Sequence, residues 1–538
     1  RHQGHLVGRS DPRSASLHVV ALLEAATSVS SNCAEAHFWL YDLYYRMGRS
    51  EPATAALSQY VKLTPRDDVA RVRLLELRLE GMHTAEQRVE LIKSELASKP
   101  ASSLYESELH RHLAKHHYER RENEPAGKEA EAALRLNPMN VAARELAYEI
   151  FGETEPALQR VEMALQLIST NPSQANLMWD LAEFLDQLSL HHQAQEWYNR
   201  AIDVHRRANP GHIPAEYLHR LAVSYSYSSD FEKSKETADK ALESNGEFHL
   251  ARLLRADVLT KLGKADAAAA DMDVVVKAYE AKATVALEKK DPMEAASLAW
   301  FFIYHHADKQ RAIALAELAM KAEKTDSLAR LAHGYALHLA GKTEEAATEL
   351  QVLAFEDQMA ALELAKIRIE QGRKPDAITL LHKASTIQYS GIAYNQVKDL
   401  LAKYGEKAAG PPLNTKVVAA LDKFPRDILD FHRKPGDYLT FTMRFEPPNP
   451  PVAGPFNAVL RLENAAPFTI SFGEGYMVRP LVALSAKIGA KDGKEFRNYL
   501  QVLMNTRPIL LPGDACEKTV AIDVGPVREY LLRTMTQT

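Results

Sequence analysis

The chain has 538 residues, of which 46% are hydrophobic and 25% charged, and its formal net charge is only -5. This length exceeds what one compact core uses, so we expect two or more structural units. The small net charge argues against a nucleic-acid-binding protein, because a phosphate-binding surface needs concentrated Lys and Arg.

The cysteine content and the length of apolar runs further restrict the possible classes of protein. Cys33 and Cys516 are the two cysteines, and neither is part of a CxxC pair, so we expect neither a zinc ribbon nor a disulfide framework. No run approaches the roughly 18 apolar residues of a membrane-spanning helix, so we expect no membrane segment in this chain. Low cysteine content favours the cytoplasm. A bacterial cell envelope is the alternative if a segment precedes Arg1, which is not a Met.

The first strong pattern along the chain is a helical hairpin. Residues 1–33 are interpreted as a tail and a lead-in helix, and Ala34–Asp67 then shows two amphipathic segments separated by Gly48. Pro65 ends the second segment, since proline cannot continue an α-helix. The hydrophobic or small positions of this first copy are Leu40, Tyr44, Ala53, Leu57 and Tyr60. Small residues let paired helices approach, and larger ones fill the groove between neighbouring hairpins.

The same frame returns along residues 34–391, which predicts an array of about ten hairpins. The later copies begin at Asp67, Ser107, Val141, Ala175, Ala215, His249, Met293 and Ser327, with a shorter last copy around Ala365–Ala384. The frame slips between Ala175 and Ala215 and between His249 and Met293, which indicates either longer loops or a lengthened helix. Residues 392–415 are interpreted as a capping helix and a linker.

This repeat resembles the tetratricopeptide repeat (TPR), with its period of about 34 residues. The resemblance implies an α-solenoid of helical hairpins, a right-handed superhelix, that binds a protein or peptide partner in its concave groove. In TPR proteins the second, fifth, sixth, ninth, twelfth and thirteenth repeat positions usually face that groove. On this frame the candidate partner-binding residues are Trp39, Asp42, Tyr45, Arg71, Arg78, Arg111, Lys115, Trp179, Asp180, Glu183, Asp186, Arg220 and Tyr227. They predict a basic early section and an acidic middle section.

The composition changes after Gly405, and residues 416–538 predict a small, mostly antiparallel β-sandwich. Lys416–Asp430 is interpreted as a short packing helix. Seven short runs rich in β-formers come next, at Tyr438–Phe445, Ala458–Leu462, Phe468–Phe472, Val482–Ile488, Tyr499–Met504, Ile509–Leu511 and Thr519–Asp523. The proline-rich stretch Glu446–Pro455 is expected to be a surface connection. Leu510–Asp523 resembles the strand–turn–strand near the end of many immunoglobulin-like accessory domains.

Catalytic and metal-binding motifs are absent from the sequence. It holds no phosphate-binding GxxxxGK[ST] loop, no HExxH and no GxSxG, so we expect a non-enzymatic protein without cofactor or metal. The strongest metal candidate is the pair His112 and His116, which share a helix face with Glu108. A structural metal needs about four ligands, and no others are assured, so a polar helix surface is the favoured interpretation.

The sequence therefore predicts a scaffold or adaptor within a larger assembly. The alternative is a regulatory or anchoring part of a larger enzyme or membrane protein whose N-terminal portion is not included. A third interpretation is carbohydrate binding by the β domain through Tyr438, Tyr476 or Tyr499. Rings of this kind more often belong to a sandwich core.

Overall fold

The computed structural model describes residues 12–100, 102–151, 156–322, 325–448, 456–472, 476–479, 481–489, 493–504 and 509–535. The chain divides into two compact units. The first unit combines Arg1–Ser173 with Ala419–Thr538, and the second unit is Gln174–Val418. The repeats are therefore divided between the units, and the first unit is formed from two separate stretches of sequence.

The helices of the first unit's N-terminal part are a lead helix and four hairpins. The lead helix is α1 (Pro12–Val29). The hairpins are α2 (Ala34–Arg46) with α3 (Ser50–Leu63), α4 (Asp68–Glu80) with α5 (Ala85–Ala97), α6 (Ser103–Glu119) with α7 (Asn123–Leu136), and α8 (Val141–Phe151) with α9 (Ala157–Thr170).

The second unit contains six hairpins and a terminal helix. The hairpins are α10 (Ala175–Gln187) with α11 (His191–Ala208), α12 (Ala215–Tyr227) with α13 (Phe231–Ser244), α14 (His249–Lys261) with α15 (Ala265–Lys289), α16 (Ala295–Tyr304) with α17 (Lys309–Ala322), α18 (Ser327–Leu339) with α19 (Thr343–Leu353), and α20 (Gln358–Glu370) with α21 (Lys374–Ala384). Helix α22 (Gly391–Lys403) comes after them and buries Val397 and Leu401 completely.

The hairpins are held together by small residues at the places where helices meet. Ala126 and Ala130 of α7 are fully buried, in a cluster with α8. Gly334 of α18 leaves so little room that an added Cβ would lie 2.6 Å from the Leu350 side chain of α19. These close approaches explain why the repeat pattern requires Ala or Gly there.

The turn inside each hairpin depends on local backbone conformation. Gly48, which comes after α2, has φ +70°, a left-handed conformation that glycine adopts without a Cβ penalty. Gly81 occupies the corresponding place after α4, but its φ is -75°. A turn glycine is therefore not left-handed in every hairpin: at Gly81 the longer connection to α5 makes that geometry unnecessary.

The slips of the repeat frame arise from lengthened helices. Helix α11 has 18 residues and α15 has 25, whereas their partners α10 and α14 have 13 each. The structure therefore selects the lengthened helix from the two explanations that the sequence left open.

The described part of the C-terminal module begins with two short helices and contains seven strands. Helix α23 is Thr415–Lys423 and α24 is Arg426–Asp430. The strands are β1 (Leu439–Glu446), β2 (Asn457–Asn464), β3 (Ile470–Ser471), β4 (Leu481–Ile488), β5 (Lys494–Leu503), β6 (Ile509–Leu510) and β7 (Ala515–Ala521), and the last element is α25 (Gly525–Met535). All seven predicted strands are present. Helix α25 was not predicted, and its Tyr530 ring lies 5.6 Å from Phe496 of β5.

The strands form three small antiparallel sheets, in the orders β1-β2-β7, β3-β6 and β4-β5. Leu460 of β2 is fully buried and pairs with Met443 on one side and Lys518 on the other. The strand–turn–strand at Leu510–Asp523 exists as β6 and β7, but these two strands belong to different sheets. Most of the proline-rich connection Glu446–Pro455 lies outside the described residues.

Candidate partner-binding surfaces

Every predicted partner-binding residue lies on the first helix of a hairpin. Trp39, Asp42 and Tyr45 lie on α2, and Arg71 and Arg78 on α4. The other eight lie on α6, α10 and α12, and they are Arg111, Lys115, Trp179, Asp180, Glu183, Asp186, Arg220 and Tyr227. We call the surface formed by the first helices of a unit its A-helix face.

The α2 part of the first unit's face is aromatic and accessible. Trp39 and Tyr45 are each 44% exposed. The Arg73 guanidinium lies 4.6 Å above the Tyr45 ring, and Asp42 forms a 3.0 Å ion pair with Arg46. These aromatic rings can therefore contact a ligand, although one of them already binds a cation from the neighbouring hairpin.

The predicted basic section is largely neutralised within the chain. Arg71 donates to the main-chain carbonyl of Pro65 at 2.6 Å and its guanidinium lies 5.6 Å from the Tyr105 ring. Arg78 pairs with Glu95 at 3.1 Å. Arg111 pairs with Glu108 at 2.6 Å, and Lys115 is 3.9 Å from Glu119. Their positive charges are consequently less available to an acidic partner than the sequence suggested.

The C-terminal module lies against the first unit's A-helix face. Tyr476, between β3 and β4, is surrounded by charges from three first helices, which are Glu76 of α4, Glu108 and Arg111 of α6, and Glu145 of α8. Burial, supported by the nearby carboxylates, raises the pKa of Tyr476 to about 12. The phenol therefore stays neutral where three hairpins meet.

Two further interactions connect the module to the N-terminal hairpins. The Ser471 hydroxyl of β3 donates to the Thr170 carbonyl at the end of α9 at 2.9 Å, and both residues are buried. Lys518 of β7 is near Asp67 and Glu35, although its burial still lowers its pKa. Three elements of the module thus meet three different places on the N-terminal hairpins.

The second unit presents a cluster of aromatic rings on its A-helix face. Trp179 of α10 stacks on Tyr217 of α12 with ring centroids 4.2 Å apart and an interplanar angle of 24°. The buried Tyr198 of α11 supports Trp179 edge-on at 4.9 Å. Trp179 and Tyr217 are themselves only partly buried. They form an aromatic plate that joins two neighbouring repeats.

The acidic residues beside this plate have different roles. Asp180 is exposed, and Glu183 forms a 3.4 Å ion pair with Arg220, whose side chain is 60% exposed. Asp186 instead accepts hydrogen bonds inside the chain, from Ser224 at 2.8 Å and from the His191 ring at 2.8 Å. Asp186 therefore positions α11 and α12, whereas Asp180 is exposed to solvent and Glu183 is partly exposed.

Tyr227 is partly covered by a later part of the same unit. Its phenol is hydrogen-bonded to the Gln388 side chain, and a Cβ built at Gly391 would lie 3.8 Å from its ring. Nearby, the Asn414 side chain donates to the Leu188 carbonyl at 3.2 Å. The last elements of the second unit therefore contact its first two hairpins.

Several residues of these surfaces were not among the predicted ones. Tyr217 and His191 lie outside the repeat positions used for the prediction, and Tyr476 was considered only as a sugar-binding ring. A search for aromatic residues within two repeat positions of Trp179 in the neighbouring copy would have found Tyr217. No local sequence pattern predicts that Tyr476 lies near the N-terminal hairpins. Conversely, Phe301 and Tyr335, which also fit the groove pattern, are buried at 2% and 3% exposure in the core.

Of the two histidines considered for metal binding, His112 is held by another contact. The Arg111 guanidinium lies 2.8 Å from the His112 ring nitrogen Nε2, and burial together with the adjacent cations lowers the pKa of His112 to about 3. Within the described ranges, no three His, Cys, Asp or Glu residues are grouped so that they could hold a metal ion. No described helix combines the length and apolarity needed to cross a bilayer.

Comparison with protein families identifies the repeat. Two tetratricopeptide repeat models match, one at residues 173–245 and the other at residues 219–283. These matches fall on α10–α15, which include the aromatic plate. The chain contains tetratricopeptide repeats over these residues. None of the curated proteins is detectably similar to its sequence.

Solved structures similar to this TPR protein share little sequence with it. Yeast Tom70 is 13% identical with a TM-score of 0.34, covering 81% of this chain and 97% of its own. The C-terminal part of a TPR repeat-containing protein from Cytophaga hutchinsonii is 14% identical with a TM-score of 0.33, covering 48% of this chain and 97% of its own. A TPR protein from Parabacteroides merdae is 16% identical with a TM-score of 0.30, covering 55% and 97%.

Proposed function

We propose that this TPR protein is a non-enzymatic scaffold or adaptor that holds a segment of another protein on the A-helix face of its second unit. The observation that carries the proposal is the stacked pair Trp179 and Tyr217, which joins α10 and α12 beside the exposed Asp180. Large aromatic residues are the commonest anchors of protein interfaces. A rigid pair also loses little side-chain entropy when a ligand binds.

The chemistry of this surface defines the partner segment. The plate accepts an apolar or aromatic side chain, and Asp180 favours a basic residue next to it. The Glu183–Arg220 pair is partly exposed, so its net contribution to stability is small, about 0–1 kcal/mol, and it can open to meet a charge of either sign. The expected ligand is an extended peptide or a helix of mixed charge.

The first unit supplies a second, weaker candidate surface. Trp39, Asp42 and Tyr45 form an accessible group on α2, whereas Arg71, Arg78, Arg111 and Lys115 are engaged in contacts within the chain. We assign the α2 group a secondary role, in which it makes additional contacts to a partner bound at the second unit. The rings that pack against Trp39 and Tyr45 are only partly buried, whereas the Tyr198 ring behind Trp179 is buried.

The experiment compares partner capture by two charge-reversed variants. Asp180→Lys with Glu183→Lys changes the charge beside the plate and leaves Asp186 in place, because Asp186 is bonded within the fold. The matched control is Glu236→Lys with Glu243→Lys, which makes the same charge change on the exposed side of α13. Proteins co-purified from a native extract would be quantified by mass spectrometry, and the recovered partner's dissociation constant measured by calorimetry.

We expect the plate variant to weaken binding about tenfold or more, equivalent to about 1.4 kcal/mol, while the control binds as the wild type does. Equal binding by both variants would exclude this surface. Equal loss in both would indicate a non-specific effect of charge, and the proposal would then be withdrawn as well.

A further inference from the structure

Strand β1 lies at an edge of its sheet. It pairs with β2 over its whole length, Leu439–Glu446, and the register contains no bulge. The Ala465 amide donates to the Tyr438 carbonyl, which identifies Tyr438 as one of the residues that bond towards β2. Because bonding alternates along an antiparallel strand, Phe441, Met443 and Phe445 direct their main-chain polar groups away from β2. Among the described residues, β1 pairs with no other strand.

The same three residues form an exposed apolar row. Their side chains share one face of the sheet, and Phe441, Met443 and Phe445 are 43%, 48% and 45% exposed. Edge strands are normally protected from association by Lys, by Pro, by a bulge or by covering elements. Leu439–Glu446 contains no Lys or Pro, and its side chains after Leu439 are all exposed. Such an edge favours pairing with another strand.

The sequence of this row is symmetric about Met443, with a phenylalanine two residues away on each side. This symmetry favours pairing with the same strand of a second copy of the chain. If two copies of β1 pair antiparallel with Met443 opposite Met443, each Phe441 lies opposite the other copy's Phe445. The outward N–H and C=O groups of Phe441, Met443 and Phe445 in one copy then lie opposite those of the other copy, as an antiparallel hydrogen-bond ladder requires. Two aromatic cross-strand pairs form, each worth roughly 0.2–1 kcal/mol. Pairing with a strand of different sequence would not require the two phenylalanines to be equally far from Met443.

Charge supports this register. With Met443 at the centre, each Arg444 lies opposite a Thr442 hydroxyl. A shift of two residues in one direction would place the two Arg444 side chains directly opposite each other, which is destabilising. Arg444 has no ion pair among the described residues, so nothing within the sheet would neutralise that repulsion.

We propose that two copies of this chain associate through their β1 strands, antiparallel about a two-fold axis at Met443. The two three-stranded sheets then become one continuous sheet with a closed, isologous interface. The proposal does not depend on the partner-binding surface of the second unit, and either can fail without the other.

The first test is the mass of the full chain in solution, measured by light scattering and by analytical ultracentrifugation over a range of concentrations. We expect the mass of two chains for the wild type. Met443→Lys should give the mass of one chain, or a dissociation constant raised about tenfold or more, because it places two cations face to face. The control Phe355→Lys changes a phenylalanine that is 64% exposed in the second unit, and should remain a dimer.

The second test is cross-linking at the two-fold axis, in a Cys33→Ser background because Cys33 is an exposed free thiol. Met443→Cys should form an intermolecular disulfide on mild oxidation, since directly opposed residues are about 5.5 Å apart at Cα. Thr442→Cys, which would lie opposite Arg444, should not. Circular dichroism would confirm that all variants are folded.

Three results would overturn the proposal. These are a monomeric wild type, a dimer that Met443→Lys leaves intact, and equal cross-linking by Met443→Cys and Thr442→Cys. A monomeric wild type that acquires a strand from a different protein would instead assign this edge to that protein.

Discussion

The A-helix faces of the two units are built from the same kind of repeat, yet they meet different neighbours. In the first unit, Tyr476 and Ser471 of the C-terminal module contact the hairpins from α4 to α9. In the second unit, Trp179 and Tyr217 form a partly accessible plate. The comparison shows that the repeat determines which residues reach this face, but the packing of distant elements determines which of them can bind a partner.

The largest expected effect concerns the module on the first unit. Tyr476→Ala should lower the free energy of unfolding of that unit by about 2–3 kcal/mol, because it removes a half-buried ring from the meeting point of three first helices. Hydrogen exchange should show faster exchange in α4, α6 and α8 and no change in α10–α13.

Tyr476→Phe is the matched control, since it keeps the ring and removes only the hydroxyl, and it should cost less than about 1 kcal/mol. Unchanged exchange in α4–α8 of the Tyr476→Ala variant would show that the module does not stabilise the face it lies on. The contrast between the two units would then lose its main support.

The next effect is a pH dependence of the stability of the second unit, which arises from His338 on its A-helix face. His338 of α18 hydrogen-bonds to Glu363 and Glu370 of α20, at 2.7 and 2.9 Å. The bond to Glu363 in particular raises the pKa of His338 to about 9. Because this is above the unfolded value of about 6.5, the stabilisation is complete below about pH 6.5 and is lost as the pH rises through about 9.

Denaturation at pH 6.5 and at pH 9.5 should therefore show a loss of about 1–2 kcal/mol in the wild type that His338→Gln does not show. His112 on the first unit's face behaves oppositely, because burial lowers its pKa to about 3 and stability falls as the pH decreases from about 6.5. If the His338→Gln variant still loses stability between pH 6.5 and pH 9.5, the loss does not arise from His338.

The smallest effect concerns the contact between the end of the second unit and its first hairpin. Asn414 donates to the Leu188 carbonyl and has a left-handed φ of +44°. Asn414→Gly removes the hydrogen bond but tolerates this backbone, so we expect a loss of about 0.5–1 kcal/mol. Asn414→Ala should cost more, because alanine also disfavours positive φ. Equal unfolding midpoints for the two variants would argue against this explanation.

Much of the fold was predictable because its determinants are local. The spacing of Leu40, Tyr44 and Ala53 around Gly48 predicts a hairpin, and it forms there as α2 and α3. The TPR assignment is confirmed by the family matches at residues 173–283. The short runs rich in β-formers predict the places of the seven described strands of the C-terminal module, although β7 begins four residues before its predicted start. The helix α25 was missed, because the strand pattern ended at Asp523 and no strong capping signal marks the start of a helix at Gly525.

The candidate sites were less predictable. The frame placed Trp179, Asp180 and Glu183 on one helix face, since positions three and four apart are neighbours on a helix. It could not show that Asp186 is bonded to His191 and Ser224, because those partners come from other helices. Whether the thirteen residues bind a partner stays a prediction.

The sequence by itself determined the repeat, its period, the helix faces and the β-rich character of the C-terminal part, because each depends on residues that are close along the chain. Only the tertiary structure decided that Ala419–Thr538 belongs to the same compact unit as Arg1–Ser173. That pairing joins Ser471 to Thr170, 301 residues apart in the chain. Such long-range contacts depend on complementary surfaces that form only after folding, and no local pattern records them.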